Sequence, residues 1–187
     1  MMTPKEFSDF NRTSAGFEYL TIFPEEKLCG IMCSDDTLTF LTRTGIPTYA
    51  APHFYFGDFD GQFLPFLCDW PWRKHSCERN LKARVIGSAP DESPVCIMEN
   101  EQLFIYKTSR NKQLLNNSLP QAIGVFCAYA VMIDKAIAGC GDDVITADKI
   151  IPKGLIAEFE GKLFSIDPNA CRMASFWTEE LHRLKPE

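Results

Sequence analysis

The sequence predicts one α+β domain over residues 1–187, built on an antiparallel sheet. The 187-residue chain has 45% hydrophobic and 24% charged residues, enough apolar material for a real core. Helical patterns stand at both ends, and short strands cluster between them, without the regular alternation that a doubly wound parallel sheet requires. No repeat and no long Pro/Gly/Ser-rich linker marks a domain boundary.

The N-terminus predicts a short helix. Thr3 and Glu6 form a Thr-x-x-Glu capping box, and Pro4 occupies the first helical position. Phe7 and Phe10 lie three residues apart, so both would face the core.

The next segment predicts an extended stretch and a helical turn. Apolar residues at 20–23 indicate a strand or extended chain. Ser34 or Asp36 can cap a turn over 37–43, which ends at Gly45. We expect Gly-Ile-Pro at 45–47 to form the exit turn.

The middle of the chain predicts the sheet. Residues 53–56 and 85–86 have the aromatic and β-branched composition of strands. Residues 93–98 and 103–106 flank the turn-like Glu-Asn-Glu-Gln at 99–102, which is the clearest hairpin signal in the chain.

A long helix follows Ser118. Ser118 and Gln121 have capping-box spacing, with Pro120 in the first turn, and Gly139 and Gly141 supply the stop. One apolar face is predicted from the spacing of Leu119, Ile123, Phe126, Ala130, Ile133 and Ile137.

Two further helical stretches are predicted at the C-terminus. The first runs over 152–163, and Asp167 with Pro168 caps the second. The inward face of the second stretch consists of Ala170, Ala174, Trp177, Leu181 and Leu184.

Composition favours a soluble cytoplasmic protein without a membrane association. The N-terminus has no apolar signal region, and the longest apolar run, 122–133, is shorter than the roughly 20 residues of a membrane span. We interpret the eight cysteines as reduced thiols, since no secretion signal provides an oxidising compartment.

Common catalytic signatures are absent from the sequence, so we expect no enzyme and no cofactor. There is no Gly-x-Ser-x-Gly elbow, phosphate-binding loop, His-Glu-x-x-His or Cys-x-x-Cys motif. The glycines at 139 and 141 lack a preceding strand and a third glycine, which favours a helix stop over a dinucleotide site.

Thiol and carboxylate chemistry are the remaining enzymatic alternatives. The possible zinc ligands do not form two closely spaced pairs: Cys68 and His75 are too far apart in sequence, and Cys29 with Cys33 lacks a second matching pair, so we expect no metal. The possible ligands are His53, Cys68, His75 and Cys77, with the separate pair Cys29 and Cys33. Asp58 and Asp60 could perform acid/base chemistry, although Asp-x-Asp-Gly is also typical of a solvated turn.

Charge and aromatic residues favour a protein partner over nucleic acid. The net charge is −6, whereas a nucleic-acid binder is typically basic, and five of the basic residues fall within 73–84. Trp70 and Trp72 flank a proline and suit either a binding hot spot or a loop closed over the core.

The order of several short motifs resembles the SUKH superfamily. Within it, the chain is most similar to the immunity proteins found beside bacterial nuclease and deaminase toxins. The motifs are Gly-Ile-Pro at 45–47, Val-Ile-Gly-Ser at 85–88, Val-Cys-Ile at 95–97, Leu-Asn-Asn-Ser at 115–118, Ile-Asp-Pro at 166–168 and Ser-Phe-Trp at 175–177.

This resemblance implies a twisted antiparallel sheet packed by helices and a binding role without catalytic residues. It implies an antitoxin that neutralises a basic toxin domain; the alternative is a regulatory scaffold like the yeast cell-wall-synthesis relatives. The positions that match the motifs are expected to be structural: Gly45, Gly87, Asn117, Ser118, Asp167 and Trp177. For the partner interface we select Asp58, Asp60, Trp70 and Trp72 from their charge and aromatic character.

Overall fold

The predicted α+β class is confirmed. The structure, a computed structural model, describes residues 1–13, 16–57, 64–69, 82–107, 111–141 and 151–185. Within these ranges the elements are α1 (Pro4–Thr13), β1 (Leu20–Thr21), α2 (Asp35–Thr39), β2 (Ile46–Pro47), β3 (Tyr49–Ala50), β4 (Phe54–Phe56), β5 (Arg84–Ser88), β6 (Pro94–Ile97), β7 (Leu103–Tyr106), β8 (Lys112–Asn116), α3 (Leu119–Cys140), α4 (Lys153–Ile166) and α5 (Phe176–Leu184).

Six strands form one antiparallel sheet in the order β3-β4-β5-β6-β7-β8, and β1 pairs with β2 separately. Each strand of the larger sheet is therefore hydrogen-bonded to its neighbour in sequence. The predicted hairpin is confirmed as β6 and β7, with Cys96 opposite Phe104. A register shift between Val85 and Gly87 introduces an irregularity where β5 pairs with β6.

The core lies mainly on one face of the sheet, beneath α3. Phe126 of α3 packs against Phe54 and Phe56 of β4, with ring centroids 5.4 and 5.7 Å apart. Trp177 of α5 is fully buried and its ring lies 5.9 Å from that of Phe126. One continuous apolar cluster thus joins α1, the sheet and the three C-terminal helices. A smaller cluster covers the other face, around Val85 and Cys96.

The predicted starts of α1 and α3 are confirmed. The Thr3 N–H donates to Glu6 Oε2 at 2.7 Å, and the Glu6 N–H donates to Thr3 Oγ1 at 3.2 Å, which completes the capping box. Ser118 Oγ accepts from the Gln121 N–H at 3.3 Å, and α3 runs on to Cys140 as the glycine stop predicts.

Three details of the predicted elements are wrong. Residues 45–47 were expected to be an exit turn, but Ile46–Pro47 is strand β2, because it pairs with β1. The stretch after Asp167 is divided into a 3-10 turn, Pro168–Cys171, and α5, because Ser175 caps a new helix start. The predicted strands also omit β8, whose polar Lys112 and Gln113 obscure the pattern.

The predicted face of α3 is also too narrow. Ala130, Ile133 and Ile137 are only partly buried. The helix instead buries a broad surface that includes Ala122, Val125, Tyr129, Met132 and Ala136. The reason is that α3 packs against the sheet on one side and against α4 on another, so a single apolar stripe does not describe it.

Helix α3 is longer than the apolar run from which we expected no membrane span. The apolar run 122–133 is short, but Leu119–Gly139 is long and apolar enough to cross a membrane by length and composition. Half of its apolar window is buried inside the fold, which is how the core helix of a soluble protein meets the same criterion.

Candidate partner-binding site

The four residues selected for the interface, Asp58, Asp60, Trp70 and Trp72, lie outside the described residues. One range of described residues ends at Gly57, just before Asp58, and another ends at Asp69, just before Trp70.

Four of the six motif residues meet at one place. Asp167 is fully buried, and its Oδ2 accepts hydrogen bonds from the Asn117 N–H at 2.8 Å and from Asn116 Nδ2 at 3.0 Å. Asn116 Oδ1 in turn accepts from Trp177 Nε1 at 3.1 Å. Ser118 begins α3 immediately afterwards. This network connects the end of β8 to Asp167 and to α5, so these residues stabilise the fold.

Asn116 is not among the residues predicted from the sequence, yet it completes this network between Asp167 and Trp177. The available signal was its position beside Asn117, directly before the cap of α3. Adjacent amides at a strand-to-helix junction can satisfy backbone and side-chain groups at once, but the sequence does not say which carboxylate they meet.

The two motif glycines, Gly45 and Gly87, are required by tight geometry. Gly45 has φ of +85° and follows the π-helical turn Phe40–Thr44. A Cβ on Gly87 would lie 2.3 Å from the backbone oxygen of Tyr55 on the neighbouring strand. A side chain at either position would therefore disturb the path of the chain.

An exposed group of aromatic residues lies at the β3 end of the sheet. Tyr49 and Tyr55 are directly opposite each other on β3 and β4, and their ring centroids are 5.4 Å apart. Their exposed fractions are 64% and 38%, and Tyr19 beside β1 is 58% exposed. We call Tyr19, Tyr49 and Tyr55 the tyrosine surface; it holds three of the five tyrosines in the chain.

The pleat of the strands explains why these rings face outward. Tyr55 alternates with Phe54 and Phe56, which are buried in the core, so its side chain must leave the opposite face of β4. Tyr49 alternates in the same way with the buried Ala50. The Thr48 N–H donates to the backbone oxygen of Tyr19 at 2.9 Å, which holds the third tyrosine beside this hairpin.

The surroundings of the tyrosine surface carry negative charge. The pKa of Tyr19 is raised, first by interaction of its hydroxyl with the Glu18 carboxylate and further by Tyr49. Glu18 thus places a carboxylate beside the tyrosine surface, and aromatic faces next to an acidic group suit a cationic protein surface.

Several of the acidic residues are already engaged within the fold. Asp91 accepts from Lys107 at 2.6 Å, and Glu99 pairs with Lys82 at 2.7 Å. Glu101 accepts from Thr37 Oγ1 at 3.0 Å and also from the Ser34 N–H. These three carboxylates already have hydrogen-bond or ion-pair partners within the fold, so they are less available to a partner protein.

Arg84, the last residue of the basic stretch 73–84, is buried. It is 9% exposed, and its Nη1 donates to the backbone oxygen of Leu64 at 2.8 Å. The guanidinium lies 3.5 Å from the centroid of the Phe66 ring. Arg84 therefore holds the segment that contains Leu64 and Phe66 against the second face of the sheet.

The residues of the enzymatic alternatives lie only in part among the residues that the structure describes. Cys68 is partly buried in the 3-10 turn Leu67–Asp69, whereas His75 and Cys77 lie outside the described residues. In the described ranges, no group of three or more His, Cys, Asp or Glu side chains could hold a metal ion.

Comparison of the chain with protein-family models, curated proteins and solved structures gave no match in any of the three. The tyrosine surface is therefore assigned as the candidate site from its geometry and exposure.

Proposed function

We propose that this chain is a non-catalytic immunity protein that binds and neutralises a toxin domain such as a nuclease or deaminase. The observation that carries the binding role is the exposure of Tyr19, Tyr49 and Tyr55 on one surface. The order of the SUKH-like motifs supports the choice of an immunity protein over other binding modules.

Tyrosine is well suited to a binding hot spot. Its ring buries a large area at a low cost in side-chain entropy, and its hydroxyl can form a hydrogen bond at the interface. Tyr49 and Tyr55 are additionally held side by side by the pairing of β3 with β4. A rigid pair of rings loses little freedom when a partner covers it, which favours tight binding.

The net charge of −6 supports a basic partner. A toxin that acts on nucleic acid needs a basic channel to hold phosphates, and an acidic inhibitor can place carboxylates where those phosphates lie. Long-range attraction would accelerate association, so the association rate should fall as salt is added.

The decisive experiment is co-expression with the toxin-like domain encoded beside the gene, followed by size-exclusion chromatography. Survival of the cells together with a stable complex supports immunity by direct binding. Death of the cells without a complex, with a toxin shown to be active alone, contradicts it. That result would favour the regulatory scaffold, whose partner an unbiased pull-down would seek.

The binding surface is tested separately with Tyr49→Thr combined with Tyr55→Thr. Threonine keeps the preference for a strand but removes both rings, so the fold should persist. We expect toxin affinity to fall about 30-fold or more, the loss typical of a hot spot. The matched control is Phe164→Gln, which removes a 62% exposed aromatic ring from α4. Equal loss in the control, or none in the double variant, would exclude the tyrosine surface.

A further inference from the structure

A second site is an apolar groove between α1, α3 and α4. It is a half-open cavity of about 370 Å³ and shares no residue with the tyrosine surface. Its walls combine side chains from the three helices. They include Phe10 of α1, Cys127, Ala128 and Met132 of α3, and Phe159 of α4, with Met2 just before α1.

The size of the groove is that of a small-ligand site. Ligand cavities typically begin at about 300 Å³, and a 150 Å³ apolar cavity accepts benzene with its six carbon atoms. By proportion, 370 Å³ has room for about 15 non-hydrogen atoms. A chain of about twelve carbons with one small head group has that size.

The wall is apolar even at its sulfur atoms. Burial raises the pKa of the Cys127 thiol to about 12, so this side chain is neutral at physiological pH. Its Sγ lies 3.7 Å from Sδ of Met2, so the residue pair connects α3 with the segment just before α1 in the wall of the groove. Flexible Met2 and Met132 can adjust to an irregular hydrocarbon chain.

The charges of the groove are all at its rim, and they favour an anion. Lys135 Nζ pairs with Glu158 Oε1 at 2.7 Å, so these two charges compensate each other. Lys162 lies one helical turn beyond Glu158 on α4, and its charge also lowers the pKa of Glu158. The rim therefore carries two cations against one anion.

We propose that this groove binds a medium-chain carboxylate, with the hydrocarbon between α3 and α4 and the carboxylate beside Lys162. The apolar wall stabilises the bound ligand by burying its hydrocarbon, and the surplus positive charge of the rim selects an anionic head group. The site is independent of the proposed immunity function, because either can fail without the other.

The test is isothermal titration calorimetry of the full chain with dodecanoate, below the concentration at which it forms micelles. The expected result is saturable binding of one dodecanoate per chain. Dodecyltrimethylammonium, with the same chain length and a positive head group, should bind at least about tenfold more weakly. Absence of saturable dodecanoate binding, or equal binding of the two amphiphiles, would overturn the proposal.

Variants test the hydrocarbon-binding wall and the head-group position separately. Ala128→Phe fills the groove and should abolish dodecanoate binding. Lys162→Glu reverses the charge at the proposed head-group site and should weaken dodecanoate binding about tenfold. Lys153→Glu changes charge equally at an exposed position of α4 outside the groove, and should have no effect. If Ala128→Phe lowers the thermal melting temperature strongly, the proposal is tested by the dodecanoate affinities of Lys162→Glu and Lys153→Glu. Equal affinities of these two variants would contradict a head-group site beside Lys162.

Discussion

Asn117 donates two hydrogen bonds to Asp167, from its backbone N–H to Oδ2 at 2.8 Å and from its Nδ2 to Oδ1 at 2.7 Å. The two residues are 50 positions apart, so this contact ties the end of β8 to the segment that follows α4. Because Asp167 is fully buried, its charge is stabilised by hydrogen bonds instead of by water.

Asp167→Asn should destabilise the fold by about 3 kcal/mol. Four N–H groups point at the carboxylate, from Asn116, Asn117 twice and Asn169, so the new amide N–H₂ would face a donor. Urea denaturation measures the effect, and Asp36→Asn at an exposed position of α2 is the control. A loss below about 0.5 kcal/mol for Asp167→Asn would show that the network contributes little.

Gly87→Ala should be strongly destabilising, whereas Gly161→Ala should be neutral or stabilising. The new Cβ at Gly87 would collide with the Tyr55 backbone oxygen, and separating two paired strands costs about 2 kcal/mol or more. Gly161 lies in α4 with open space around it, so alanine there adds up to about 1 kcal/mol of helix stability. Thermal unfolding of the two variants checks both signs, and similar melting temperatures would refute the predicted clash.

Glu101→Gln should destabilise the contact between the β6–β7 hairpin and α2 by about 1 kcal/mol. Glu101 accepts from the Ser34 N–H and from Thr37 Oγ1, so its charge lies at the N-terminus of α2. Glu92→Gln is a matched control, because Glu92 also has a positive φ in a turn between strands. Equal urea midpoints for the two variants would contradict a specific role for Glu101.

Stability should fall above pH 10 through Tyr129. Burial, and then the charge of Glu180, raises the pKa of Tyr129 above its ordinary value of 10.0, and its hydroxyl donates to Glu180 Oε1 at 2.6 Å. The unfolded chain therefore releases this proton at lower pH than the folded chain. The contribution of Tyr129 to the free energy of unfolding is constant below pH 10 and decreases above it.

The measurement is urea denaturation of the wild type and of Tyr129→Phe between pH 9 and pH 11. The wild type should lose about 1.4 kcal/mol more than the variant over this range. Loss of the hydrogen bond lowers the stability of Tyr129→Phe equally at every pH, so only the difference in slope is diagnostic. Parallel curves would show that Tyr129 titrates alike in both states.

Local signals in the sequence were sufficient for the α+β class, the helix starts at Pro4 and Leu119, and the hairpin of β6 and β7. Each depends on residues within a few positions of one another, such as the reciprocal hydrogen bonds of Thr3 and Glu6. The alternation of Phe54, Tyr55 and Phe56 also contained enough information to place Tyr55 outward.

Tertiary structure decided the remaining relationships. Only the fold brings Tyr19 beside Tyr49, Glu101 to the start of α2, and Asn117 to Asp167. Ile46–Pro47 is a strand because a distant segment pairs with it, although a Gly-Ile-Pro sequence favours a turn. Local sequence determines backbone preference through short-range sterics and hydrogen bonds, whereas partners distant in the chain are selected by the packing that buries the most apolar surface and satisfies the most polar groups.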